Sequence, residues 1–199
     1  MSDSAWNLNS SNLNVGAIIL AGGKSSRMGV DKASLKVGEQ PLVFRLQAML
    51  ASLGLSVVIS SKHYGVADII PDKGPLGGCY TGMMALTDCH HVMVIPVDMV
   101  HLTKDVLLRL LERATDNQIA TITKYQGQHF PFVIRNTPQV TCWLRDTLSN
   151  QGGKACSVGA LLNHFGTEVV TTEDCFPQCF NNVNTPLQWH QALNTLNCC

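Results

Sequence analysis

The sequence predicts a three-layer α/β fold with a mostly parallel sheet, carried by residues 15–199 as one domain behind a tail at 1–14. Three observations predict it. Strand-like segments alternate with helical ones. The strand segments are apolar at successive positions, the pattern of strands covered on both faces. A glycine turn and two aspartates fall just beyond strand ends, where such folds bind ligands.

The elements follow in order. Val15 to Leu20 is a continuous apolar run stopped by Gly22-Gly23, a buried parallel strand. Pro41 to Leu53 reads as a helix, with Leu42, Leu46, Met49, Leu50 and Leu53 on one face and Gly54 as its stop. Leu55 to Ser60 is a second buried strand and Asp68 to Pro71 a short third one. "DKGPLGG" after it reads as a turn-rich loop and Tyr80 to Leu86 as a helix. "HVMVIPVDM" is another buried strand delivering Asp98 to its end, and Thr103 caps a helix through Ala114. "IATITK" and "FPFVIR" read as strands, the second placed at a sheet edge by Pro131. "TPQVTCWLRDTLSN" and "KACSVGALLNHF" read as helical, "TEVVTT" as a strand, and Pro186 to Asn197 as the last helix.

Composition narrows the function. The chain has 199 residues, 45% of them apolar, enough for a substantial core without disulfide or metal staples. A formal net charge of zero supplies no global field for nucleic acid, so any polyanion recognition is local. No apolar run has the length of a membrane span, and the Ser/Asn-rich start lacks the pattern of a secretory signal, so a cytoplasmic protein is expected. The eight cysteines make no C-x-x-C pair and read as reduced thiols. Cys198-Cys199 reads as a frayed end.

The segment "LAGGKSSRMGVDKASL" carries the chemistry. Neither common phosphate loop fits it. A Walker A loop needs glycine at position 18, where Ile18 stands, and the G-x-G-x-x-G spacing is absent. The physics of anion binding is nevertheless there. Gly22 and Gly23 let backbone N–H groups approach an anion, Ser25 and Ser26 add donors, and Lys24, Arg27 and Lys32 add positive charge. Asp98, at the end of an apolar strand, suits a Mg²⁺ ion brought by a triphosphate, since Mg²⁺ takes one or two carboxylates plus phosphate oxygens. Asp72 is the second candidate carboxylate.

At these residues the chain resembles the molybdenum cofactor guanylyltransferases, within a wider group of nucleotidyltransferases with a Rossmann-like three-layer fold. The resemblance continues through "GEQPLVFRLQ", "GPLGG" at 74–78, "PVD" at 96–98 and "NNVNTP" at 181–186. It implies transfer of GMP from GTP to the terminal phosphate of molybdopterin, with Mg²⁺ as cofactor, pyrophosphate as product and transient contact with cofactor-delivery proteins or molybdoenzymes. By position, Leu20, Ala21 and Gly22 line the nucleotide, Gly23, Arg27 and Lys32 hold its phosphates, Asp72 contacts it, and Asp98 binds the metal. Ser60 sits where the family often has an asparagine near the base. Asn182 and Asn184 lie toward the pterin phosphate or the metal, and His129 is a further pterin-side candidate. A cytidylyltransferase on the same cofactor, another nucleotidyltransferase of the group, and a non-catalytic nucleotide-binding adaptor remain alternatives.

Overall fold

The computed structural model describes residues 14–22, 31–117, 119–150, 153–173, 175 and 177–196. Its centre is a six-stranded sheet of β1 (Val15–Leu20), β4 (Ser56–Ser60), β5 (His91–Pro96), β6 (Ile122–Tyr125), β7 (Phe132–Arg135) and β8 (Thr167–Val170), in the order β4-β1-β5-β7-β6-β8. β1, β4, β5, β6 and β8 run one way and β7 runs against them, so the sheet is mostly parallel, as expected.

Both faces of the sheet are covered, for the reason the apolar runs implied. All six residues of β1 are buried. Ala17 and Ile19 point into a core with α1 (Leu42–Ala51), α3 (Lys104–Asp116) and α6 (Pro186–Leu196). Ile18 and Leu20 point into the opposite core with α2 (Gly74–Ala85), α4 (Pro138–Asn150) and α5 (Val158–His164). Each fully buried isoleucine contributes about 2–3 kcal/mol of transfer free energy. Period-2 side chains therefore produce three layers from strands with no polar face.

α2 lies very close to β1. Its glycines at 74, 78 and 82 recur every four residues. A Cβ at Gly78 would stand 2.7 Å from Leu20 Cδ2, and one at Gly82 would stand 2.5 Å from Ile18 Cδ1. The helix sits where it does because positions 78 and 82 carry no side chain.

Several elements differ from the sequence reading. Residues 68–71 form no strand; the chain meets the sheet two residues earlier, through the bridge of Ser60 with Val66. Gly74 to Gly78, expected as loop, is the first turn and a half of α2, with Pro75 in the first turn where its missing N–H costs nothing. β7 is interior, between β5 and β6, rather than an edge. Pro131 falls one residue before it and so removes no ladder donor. "KACSVGALLNHF" breaks into a 3₁₀ turn at Gly153–Cys156 and α5, because the Ser157 hydroxyl accepts from Ala160 N–H and restarts the chain as an N-cap. A two-residue hairpin of β2 (Lys36–Val37) and β3 (Gln40–Pro41) went unread.

Candidate active site

The chain leaves β1 toward β4 on one side, and β5 pairs with β1 on the other. That reversal opens a crevice beyond the carboxyl ends of β1, β4 and β5. Leu20, Ala21 and Gly22 form one wall, Pro96, Val97 and Asp98 the next, and Ser60 and Asp68 a third. Val97 N–H donates to Leu20 C=O at 3.0 Å and Ala21 N–H to Ser60 C=O at 3.0 Å, which carries the sheet ladder into the site and fixes all three walls to one another.

Lys32, Asp98 and Asn184 meet at the floor. Lys32 Nζ donates to Asp98 Oδ2 at 2.7 Å and to Asn184 Oδ1 at 2.5 Å. The Lys32 and Asp98 side chains are only 18% and 16% exposed, so the charges interact with limited water screening. Local chemistry aims each one. Asp31 caps a 3₁₀ turn over Lys32–Ser34, its side chain accepting from Ala33 N–H at 3.0 Å, and the fully buried Ala33 anchors that turn in the core. The Asp in "VDK" therefore orients the lysine. Val183 N–H donates to Asp98 C=O at 3.0 Å, which stitches the segment before α6 to the end of β5 and brings Asn184 alongside.

The third wall holds a second carboxylate. Ser60 Oγ donates to Asp68 Oδ1 at 2.8 Å, and Ile69 N–H donates to Thr81 Oγ1 of α2 at 2.9 Å. Asp68 Oδ2 passes 3.2 Å from where a Cβ of Gly77 would lie. Burial, with the Asp68 charge added to it, pushes the neighbouring Cys79 thiol up to about 12, so it is inert.

Leu20, Ala21, Gly22, Lys32, Ser60 and Asp98 all reach the crevice, and Asn184 joins them through Lys32. Gly23 and Arg27, with Lys24, Ser25 and Ser26, lie outside the described residues. Three expected residues are not among those lining the crevice. Asp72 does not line the crevice but sits exposed at a turn with φ of 60°, whereas Asp68, four residues earlier, does line it. Asn182 faces a separate groove with His101, Gln178 and Gln191. His129 is exposed, and Phe130 beside it lines the crevice, stacked on Phe132 at 5.5 Å. The signal for Asp68 was present in "ADIIPD" as a second aspartate four residues before Asp72. Choosing between them required knowing that α2 starts at Gly74.

The donor set fits a hard divalent cation. Asp98 and Asn184 place a carboxylate and an amide oxygen on one cation, the Lys32 ammonium, and Mg²⁺ completes such partial sets with phosphate oxygens and water. No cluster of three or more His, Cys, Asp or Glu suited to a resident metal exists among the described residues. No helix among them is long and apolar enough to cross a membrane.

A crevice at the sheet's switch point, with an Ala-Gly turn on one side and a lysine–aspartate–asparagine cluster at its base, defines a nucleotidyltransferase. The chain belongs to the family of the MobA-like NTP transferase domain, whose model matches residues 17–165. It is 33% identical over 181 residues to the molybdenum cofactor guanylyltransferase of Xanthomonas euvesicatoria pv. vesicatoria, covering 89% of this chain and 93% of that one. It is 28% identical to the protein of the same name from Sinorhizobium fredii, over 91% of each chain. In structure it is similar to the molybdopterin-guanine dinucleotide biosynthesis protein A of Archaeoglobus fulgidus, with a TM-score of 0.64 over 92% of this chain and 100% of that one, at 14% identity.

Proposed function

We propose that this enzyme transfers GMP from GTP to the terminal phosphate of molybdopterin, releasing pyrophosphate. The observation that carries the reading is the Lys32–Asp98–Asn184 cluster, three residues from three distant motifs converging on one point of the crevice. The nucleophile is a phosphate monoester, mostly dianionic near neutral pH because its second pKa is about 6. It needs no general base, and none of the described crevice-lining residues is a histidine or cysteine. One phosphate oxygen attacks the α-phosphorus of GTP in line. The new O–Pα bond forms as the bond from Pα to the bridging oxygen of the β-phosphate breaks, and its electrons leave on pyrophosphate.

The barrier is electrostatic. Lys32, with Arg27, neutralises charge on the departing pyrophosphate, and Gly22 and Gly23, which carry no side chains, would let backbone N–H groups approach the phosphates. Asp98 and Asn184 would hold Mg²⁺, which when bound supplies Lewis-acid polarisation of the phosphoryl oxygens. On the base side, guanine presents two adjacent donors, N1–H and the 2-amino group, which match the acceptor pair of the Asp68 carboxylate. Cytosine offers one donor, its 4-amino group, beside a ring-nitrogen acceptor, so it can satisfy one carboxylate oxygen while its ring nitrogen repels the other. Asp68 thus supports GTP over CTP. Cys79, Cys89, Cys142 and Cys175 are free thiols, which supports a reducing compartment such as the cytoplasm.

Melting the protein with Mg²⁺ and each of GTP, CTP, ATP and UTP tests the assignment. Selective stabilisation by GTP is expected. Selective stabilisation by CTP would move the protein to cytidylyl transfer.

A further inference from the structure

We propose that Ser60 is a positioning residue for base selection, acting on the nucleotide through Asp68 and not by touching the base itself. The inference rests on the reading of the crevice as a GTP site. Ser60 is the last residue of β4 and only 2% exposed. Its hydroxyl hydrogen is committed to Asp68 Oδ1 at 2.8 Å. Its carbonyl is committed as well, accepting from Ala21 N–H at 3.0 Å, so the serine backbone is locked to the end of β1. From the other side α2 closes over the hydroxyl, since a Cβ at Gly78 would stand 2.6 Å from Ser60 Oγ. The group is a fixed peg.

Asp68 needs such a peg. It lies in a segment of turns, partly exposed, tied to the fold through its neighbour's bond to Thr81. The terminal torsion of an aspartate is broad and poorly restricted on its own. Reading guanine requires both carboxylate oxygens in the plane of two donors at once. Ser60 fixes that plane by holding Oδ1, while Oδ2 runs over the bare backbone of Gly77, 3.2 Å from the place a methyl would occupy. An asparagine at position 60 would carry a longer arm with its own donors and acceptors and could meet a base directly. A serine this short and this buried works through its partner.

The test is equilibrium binding of GTP and of inosine triphosphate, which lacks the 2-amino group, to the full chain with Mg²⁺ by titration calorimetry. The wild type, Ser60→Ala, Asp68→Asn and the double variant are compared, with melting curves as the check on folding. The wild type is expected to prefer GTP by about tenfold or more, since a site built to bond a group rejects the analogue lacking it. Ser60→Ala is expected to weaken GTP about tenfold and shrink the preference to below about threefold, with no further loss when added to Asp68→Asn. Gly78→Ala crowds the same hydroxyl without deleting it and lowers the same ratio. An unchanged GTP preference in Ser60→Ala, or losses that simply add in the double variant, overturns the inference. Loss of the preference in Ser60→Ala with Asp68→Asn unaffected would place Ser60 on the base itself, overturning the inference while leaving the GTP site intact. A wild type that does not bind GTP removes the site reading and the inference together.

Discussion

Replacing Gly78 by alanine tests how closely α2 must lie on the sheet. Two opposing terms set the outcome. In a helix interior, alanine is favoured over glycine by about 1 kcal/mol because less backbone entropy is lost on folding. Against this, the new methyl would stand 2.6 Å from Ser60 Oγ and 2.7 Å from Leu20 Cδ2, roughly an ångström inside ordinary contact. Ser60 is 2% and Leu20 9% exposed, so neither has free space to retreat into. Overpacking of this kind costs about 1–3 kcal/mol. Two contacts this short put the cost in the upper half of that range, about 2–3 kcal/mol, so the repulsive term wins, leaving a net loss of about 1–2 kcal/mol and a Tm lower by roughly 3–6 °C for a chain of this size. Gly159 in α5 is the control. There the nearest atom to an added Cβ is Ser157 Oγ at 3.8 Å, so Gly159→Ala keeps the propensity gain and raises stability by about 0.5–1 kcal/mol. Urea unfolding of both variants measures the pair. A Gly78→Ala protein as stable as the wild type would refute the close packing of α2 on β1.

The remaining predictions concern charge. Asp98→Ala should lower pyrophosphate release at least roughly a hundredfold while the far-ultraviolet spectrum stays native, because one developing-charge contact is worth on the order of 3 kcal/mol in the barrier; full activity removes Asp98 from the mechanism. His91, buried in β5 with neither ring nitrogen hydrogen-bonded, has its pKa pushed down to about 4, first by burial and then by the Arg135 and His90 charges. Its folded pKa lies below the unfolded value of about 6.5, so the unfolded chain takes up the extra proton between those values and stability falls as pH drops through that window, by about 2–3 kcal/mol. His91→Leu should flatten the dependence in urea melts at pH 7, 6 and 5, and an unchanged slope would place the acid sensitivity elsewhere.

How the site was legible depends on where each residue sits. Asp98 could be read because an apolar strand ends on it, and Lys32 because it closes the glycine motif. Asp68 escaped because Gly74 to Gly78 carry a loop's composition but a helix's conformation. Glycine and proline announce a turn locally, and only packing against Ile18, Leu20 and Ser60 makes their lack of side chains an asset to a helix. Pro131 misled in the same way, since a proline just outside β7 leaves an interior strand intact. The two asparagines share one motif, and Asn184 is the one whose amide oxygen meets the lysine.

By itself the sequence determined the layers of this protein, because strands apolar on both faces can be satisfied only between two sheets of helices. It also determined which ends of those strands carry glycine, lysine and aspartate. The tertiary structure decided which of two aspartates lines the crevice, that Ser60 bonds to it, and that Lys32, Asp98 and Asn184 share one point. Those are contacts between residues up to 152 positions apart. Local propensity carries no information about them, and they exist only once the sheet has set the distance between its strand ends.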